Sequence, residues 1–318
     1  MGRLENLEKR LDERLEALDR RLDGRLAGLG ATRTANAGPA LRAAASGASL
    51  RAGKGPVLAA RTEGIPVEQV FVEYVTPGEA ELRQLFEFTR NSAHVRENAL
   101  YAQILDATQF AFDAGDDELN AFATILQGNE GLGKGPLVLV KGGAARFGRV
   151  AALAIAAMRS GDTGAGGRFL SLIRRLGLAK IDLEWSVRVV NEAGLAPVLG
   201  DDKALATAKS VSAGLFLGIL AHEAGHLALG HLHRLGSRGN NDISRNQERE
   251  ADSFASSIIA ASPFGEYILA GMLLFLYALA QLEGGGRATT HPLSKERFDN
   301  FVRANPDLAA EFGLSAEA

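Results

Sequence analysis

The 318-residue chain contains no cysteine. That excludes disulfides, thiolate metal sites and cysteine nucleophiles, so any bound metal must rely on histidine and carboxylate. Histidine is scarce as well: there are six, and four of them stand in "LAHEAGHLALGHLH", Leu220 to His233, with Glu223 among them. No excess of one charge sign is present. A formal net charge of −3 gives no general attraction to nucleic acid or to an anionic membrane, and neither is expected as a partner. The N-terminus is densely charged and lacks the apolar core of a secretory signal, so the expected location is cytoplasmic. "YILAGMLLFLYALAQL", Tyr267 to Leu282, carries no charge but is only sixteen residues long. A membrane span needs roughly 20, so this run reads as a buried core helix, with a membrane anchor as the alternative.

Hydrophobic residues make up 46% of the chain, ample for a core. The first thirty residues repeat: "RLENLEKRLDE" is followed by "RLEALDRRLDG", with leucines at 4, 7, 11, 15, 18, 22, 26 and 29. Eleven residues in three turns give a nearly straight apolar stripe, and pairs such as Glu5–Lys9 and Glu16–Arg20 support the exposed face. One such helix cannot bury its own leucines. Residues 1–30 therefore read as a coiled-coil-type helix for self-association or partner docking. Residues 31–62 are rich in Ala, Gly and Ser without a period and read as a linker, leaving 63–318 as the folded domain.

"IPVEQVFVEYV" (65–75) suggests a strand-like start to that domain. Glu79 to Phe112 reads as helix, with Leu82, Leu85, Phe86, Leu100, Ile104 and Leu105 as core candidates. Ala121–Leu126 and Leu137–Val140 read as a hairpin around a glycine-rich connection. That connection, "GNEGLGKG", is not a P-loop: Gly135 stands where the Ser/Thr belongs, and a strand follows instead of a helix. Helices are expected over Arg146–Arg159, Arg168–Leu178, Glu184–Glu192, Lys203–His233 and residues 245–262.

"HEAGH" fits H-E-x-x-H. Residues four apart share a helix face, so His222 and His226 can present imidazoles to one metal ion. Glu223 is offset by one residue and suits a different task, taking a proton from a metal-activated water. Zinc fits two neutral imidazoles plus a carboxylate with one position left open. The carboxylate candidate is Glu248 in "QEREAD": on a helix it shares a face with Ala251, Ala255 and Ile258, whereas Glu250 falls with Ser253 and Ser257. Asp252 could then accept a hydrogen bond from a ligand histidine's other ring nitrogen. Leu229 and Leu232 occupy the positions where a metzincin needs Gly and His, which excludes that class. His231 and His233 read as exposed or supporting residues and not as ligands.

Four separated pieces, "NAFAT", "HEAGHLALGH", "EREAD" and "THPLSKERFD", resemble in order the HtpX and CaaX-prenyl-protease family of gluzincin metallopeptidases. The resemblance runs from about Asn120 to Phe301. It implies a zincin-like α+β domain, predominantly helical with a small sheet, acting on peptide or unfolded-protein substrates with one zinc ion. It also implies that Asn120, Ala121, Phe122 and Ala123 form an edge strand to which substrate adds. The same resemblance sets His291 and Arg297 near the substrate or the transition-state oxyanion. The reading is a zinc endopeptidase with His222, His226 and Glu248 as ligands and Glu223 as the base. A non-catalytic, zinc-stabilised assembly protein that oligomerises through residues 1–30 is the alternative.

Overall fold

A computed structural model of the chain describes residues 71–72, 74–127, 134–234, 241–260, 265–284, 294–304, 306 and 310. Residues 1–30 and 31–62, read from the sequence as a coiled-coil-type helix and a linker, lie outside the described residues.

Residues 71, 72, 74 and 75 are helical, not strand. Phe71, Tyr74 and Val75 are all buried, and their i, i+3, i+4 spacing is that of one helix face. Three helices, α1 (Glu79–Arg90), α2 (Ala93–Arg96) and α3 (Ala99–Asp106), replace the single helix expected from the sequence. The break has a local cause. The Asn98 side chain accepts hydrogen bonds from the backbone of Leu100 and Tyr101, which starts α3 afresh. Leu100 is consequently 59% exposed, while Leu82, Leu85, Phe86 and Leu105 join the core.

The sheet has three strands in the order β1-β3-β2. β1 (Gln109–Asp113) runs parallel to β3 (Lys134–Lys141), and β2 (Ala121–Gln127) pairs antiparallel with β3, Ala121 opposite Val140. The expected hairpin strands are thus present, β1 is an addition, and β2 is an outer strand of the sheet among the described residues. α4 (Gly142–Arg159) begins where β3 ends. Side chains at Gly142 or Gly143 would collide with the carbonyls of Ala114 and Asp117, so this corner needs glycine.

After α5 (Ala165–Leu176), α6 (Leu183–Glu192) and α7 (Ala196–Gly200) comes the central helix, α8 (Asp202–Ala228). Asp201 caps it, accepting from the backbone N–H of Ala204 at 2.8 Å. α8 packs against α1, α4, α10 (Asn241–Ala260) and α11 (Gly265–Gly284) and is buried almost throughout from Val211 to Ala228. Its length and composition alone would suffice to cross a membrane, and 67% of its apolar window is buried inside the protein. A helix apolar all round belongs in a core when other helices cover it. The Tyr267–Leu282 run lies in α11, whose described side chains are mostly buried against α8 and α12 (Ser294–Ala304).

α8 does not continue to His233 as the sequence reading expected. It stops at Ala228, and Gly230 adopts a left-handed φ of 68°, with its N–H bonded to the Leu227 carbonyl. That is a glycine helix stop. The chain turns there and restarts as the short α9 (His231–Arg234).

Candidate metal centre

The centre lies where the last turn of α8 crosses α10. The crossing is close because residue 225 has no side chain: a Cβ there would come to 3.2 Å from the Ala251 Cα and the Phe254 Cβ. Ala251, Ala255 and Ile258 are buried on the same stripe of α10, and Glu248 shares their face.

The approach brings three donors together. The Nε2 atoms of His222 and His226 are 3.1 Å apart. Glu248 places Oε2 at 3.3 Å from the first and Oε1 at 3.5 Å from the second. All three side chains are buried, and their candidate ligand atoms lie within 4.8 Å of one another. The opposite ring nitrogens are committed elsewhere. His222 Nδ1 is 2.9 Å from Asp252 Oδ1, and a carboxylate accepts, so this nitrogen carries the proton. His226 Nδ1 meets His231 Nδ1 at 3.0 Å, and His231 Nε2 meets Glu250 Oε2 at 2.9 Å. The same logic makes His231 Nε2 the donor, its Nδ1 the acceptor, and His226 Nδ1 a donor. Both ligand Nε2 atoms then present lone pairs to each other and to a carboxylate. Arg297 also approaches this set, its Nη1 at 2.9 Å from Glu248 Oε2 and its Nη2 at 3.5 Å from His222 Nε2, and two imidazoles with a carboxylate are a donor set suited to a metal cation. The buried group can hold a metal ion.

The surrounding electrostatics favour positive charge at this point. Burial disfavours a charged His222, as does Arg297, but hydrogen bonds to Asp252 and Glu248 outweigh both and raise its proton affinity. Burial likewise opposes the Asp252 carboxylate, yet the Arg297 guanidinium and His222 hold its carboxyl well below the usual carboxylate range.

Glu223 is 2% exposed and faces the sheet. Its Oε2 accepts a hydrogen bond of 2.9 Å from the backbone N–H of Ala123. That N–H points away from β3, so the Glu223 carboxylate sits on the outer side of β2. Asn120, Ala121, Phe122 and Ala123 lead into and begin this strand, and the Asn120 carbonyl accepts from Lys141 N at 3.0 Å.

Arg297, 7% exposed on α12, engages the carboxylate side of the cluster. Its Nη2 and Nε reach Asp252 Oδ1 and Oδ2 at 2.7 and 3.0 Å, and its Nη1 reaches Glu248 Oε2 at 2.9 Å. Its Nη2 also lies 3.3 Å from His222 Nδ1, so the guanidinium faces both carboxylates and a candidate ligand histidine. His291 lies outside the described residues, as does the side chain of His233. Of the two remaining contributors, His231 fits the supporting role open to it from the sequence, whereas Glu250 was expected on a solvated face. His231, only 1% exposed, touches His226, and Glu250 folds back onto His231 although its neighbours Ser253 and Ser257 are exposed. Gly230 was the available signal, since a glycine stop there takes His231 off the axis of α8.

Residues 184–310 match the model of a family described as Peptidase U49. The match spans His222, Glu223, His226, Glu248, Asp252 and Arg297 and leaves the sheet outside it. It supports proteolysis as the activity, under a different family description from the one the motifs resemble. No curated protein and no solved structure matches the chain.

Proposed function

We propose that the chain is a zinc-dependent endopeptidase that hydrolyses peptide bonds of peptides or unfolded proteins. The observation that carries this reading is the position of Glu223, next in sequence to one donor of the three-donor cluster and bonded to the outer side of β2. Similarity of this region to a peptidase family supports it. His222, His226 and Glu248 would hold one zinc ion, which when bound makes water a stronger acid and polarises a carbonyl.

The remaining work falls to the chain itself. An extended substrate aligns along the outer side of β2 through main-chain hydrogen bonds, which brings its backbone to the α8 carboxylate. Glu223 accepts the proton of the attacking water and passes it to the leaving amine. The Ala123 N–H fixes one oxygen of that carboxylate, so the base is oriented before substrate arrives. Asp252 keeps His222 in the tautomer with a bare Nε2, and Arg297 holds both Asp252 and Glu248 in place. A mostly helical domain whose edge strand meets the metal helix is the arrangement we read as zincin-like.

The test is Glu223→Gln. The variant is expected to keep one zinc per chain and to lose cleavage of an unfolded protein by about 10²–10⁴-fold. Cleavage at the parent rate would refute the assignment.

A further inference from the structure

The two donor histidines are oriented by different means. His222 rests directly on a carboxylate. His226 rests on another histidine, His231, which in turn rests on Glu250. We propose that His231 and Glu250 form a positioning relay that fixes the tautomer and ring orientation of His226, and thereby sets the metal affinity of the centre. The inference rests on the metal reading given above.

What each group can donate fixes where the protons lie. Glu250 as a carboxylate only accepts, so the 2.9 Å contact places the His231 proton on Nε2. Neutral His231 then has a bare Nδ1, and the 3.0 Å contact places the His226 proton on Nδ1. What remains is a lone pair at His226 Nε2, directed at the other two donors. Had His231 the opposite tautomer, its Nδ1–H would face His226 Nδ1, and His226 would carry its proton on Nε2. That would block the lone pair. Glu250 thus selects, through one ring, the state of the next.

The geometry of the ring is itself held. His231 is buried at the first position of α9, beyond the left-handed Gly230, and its carbonyl accepts from Gln247 Nε2 at 3.3 Å. Gln247 and Glu250 both belong to α10, so the helix that carries the ligand Glu248 also fixes His231 from two sides. A histidine kept only to fill space would need neither contact.

Space-filling and hydrogen bonding are separable by substitution. His231→Leu keeps apolar volume without an acceptor, whereas His231→Asn keeps an acceptor near the Nδ1 position. Zinc affinity of the purified full chain is measured by competition with a chromophoric chelator. The thermal midpoint of each metal-free protein and the visible spectrum of each cobalt-substituted protein are recorded alongside. The leucine variant is expected to lose about 10–100-fold in zinc affinity and to show an altered cobalt spectrum, with the asparagine variant recovering most of both. Glu250→Ala, at a half-exposed position, is expected to lose affinity in the same direction, its thermal midpoint reporting any loss of fold. The relay is overturned if Glu250→Ala, or a folded His231→Leu, binds zinc as tightly as the parent with an unchanged cobalt spectrum. A parent chain that binds no zinc would overturn the metal reading together with the relay, which distinguishes the two failures.

Discussion

The two sides of the centre solve one problem with different materials. On the His222 side the supporting carboxylate is Asp252, in direct contact and clamped by an Arg297 side chain that is 6% exposed. On the His226 side a second imidazole intervenes, and the chain of contacts ends at Glu250, whose side chain is 51% exposed. Both carboxylates come from α10, two residues apart, and so leave the helix in different directions. The difference teaches where each side takes its rigidity. A charge pair in low dielectric is strong and intolerant of losing one member, whereas a solvated carboxylate is screened and contributes less. The first side should therefore be stiff and fragile, the second softer and more forgiving.

The largest expected effect comes from breaking the stiff side at its cation. Arg297→Ala leaves Glu248 and Asp252 facing each other's charge, and the metal-free protein is expected to lose about 3 kcal/mol in urea unfolding, the lower end for a buried pair because Asp252 is partly exposed. Saturating zinc should recover more stability in this variant than in the parent, since the ion replaces the lost positive charge. Equal gains in both would mean that Arg297 does not act on the donor carboxylates. Next in size is the contrast between Asp252→Asn and Glu250→Gln. The first should weaken zinc binding by about 10–100-fold, while the second retains an accepting oxygen for His231 and should lose less. Equal losses would erase the distinction between the two sides.

The smallest effect expected is that of Gly225→Ala. Helix propensity favours the alanine by about 1 kcal/mol, and overpacking against Ala251 and Phe254 costs about 1–3 kcal/mol. The net change in thermal stability should be a modest loss, accompanied by weaker zinc binding because the two helices are pushed apart. A variant more stable than the parent with undiminished zinc affinity would show that the crossing has slack.

How much of this was legible in the sequence follows the same division. His222, Glu223 and His226 are set by spacing within one helix, and Glu248 by the apolar face it shares with Ala251, Ala255 and Ile258. Helical periodicity carries such relations without knowledge of the fold. The softer side was not legible, because it depends on a turn of the chain. A helix drawn through to His233 turns His231 away from His226, and only the left-handed Gly230 brings the two rings together. Glu250 looked like a solvated residue for a related reason: its side chain is half exposed, and its partner lies on another element. β1 was missed because five residues, "QFAFD", directly follow a helix and carry too few alternations to announce a strand. Its pairing with β3 is long-range information.

The missing side chain at Gly225 has one more consequence. Because two backbones nearly touch there, the gauge of the centre is set by how far apart the axes of α8 and α10 run, more than by the rotamers of the donors. A gauge of that kind can be reset from a distance. Ala251, buried one turn beyond Glu248 and facing Gly225, is a position where added bulk would widen the gaps from Glu248 to both histidines at once without touching a donor. Natural or designed variation at this crossing would then retune the cavity toward an ion of larger radius, with every ligand left in place.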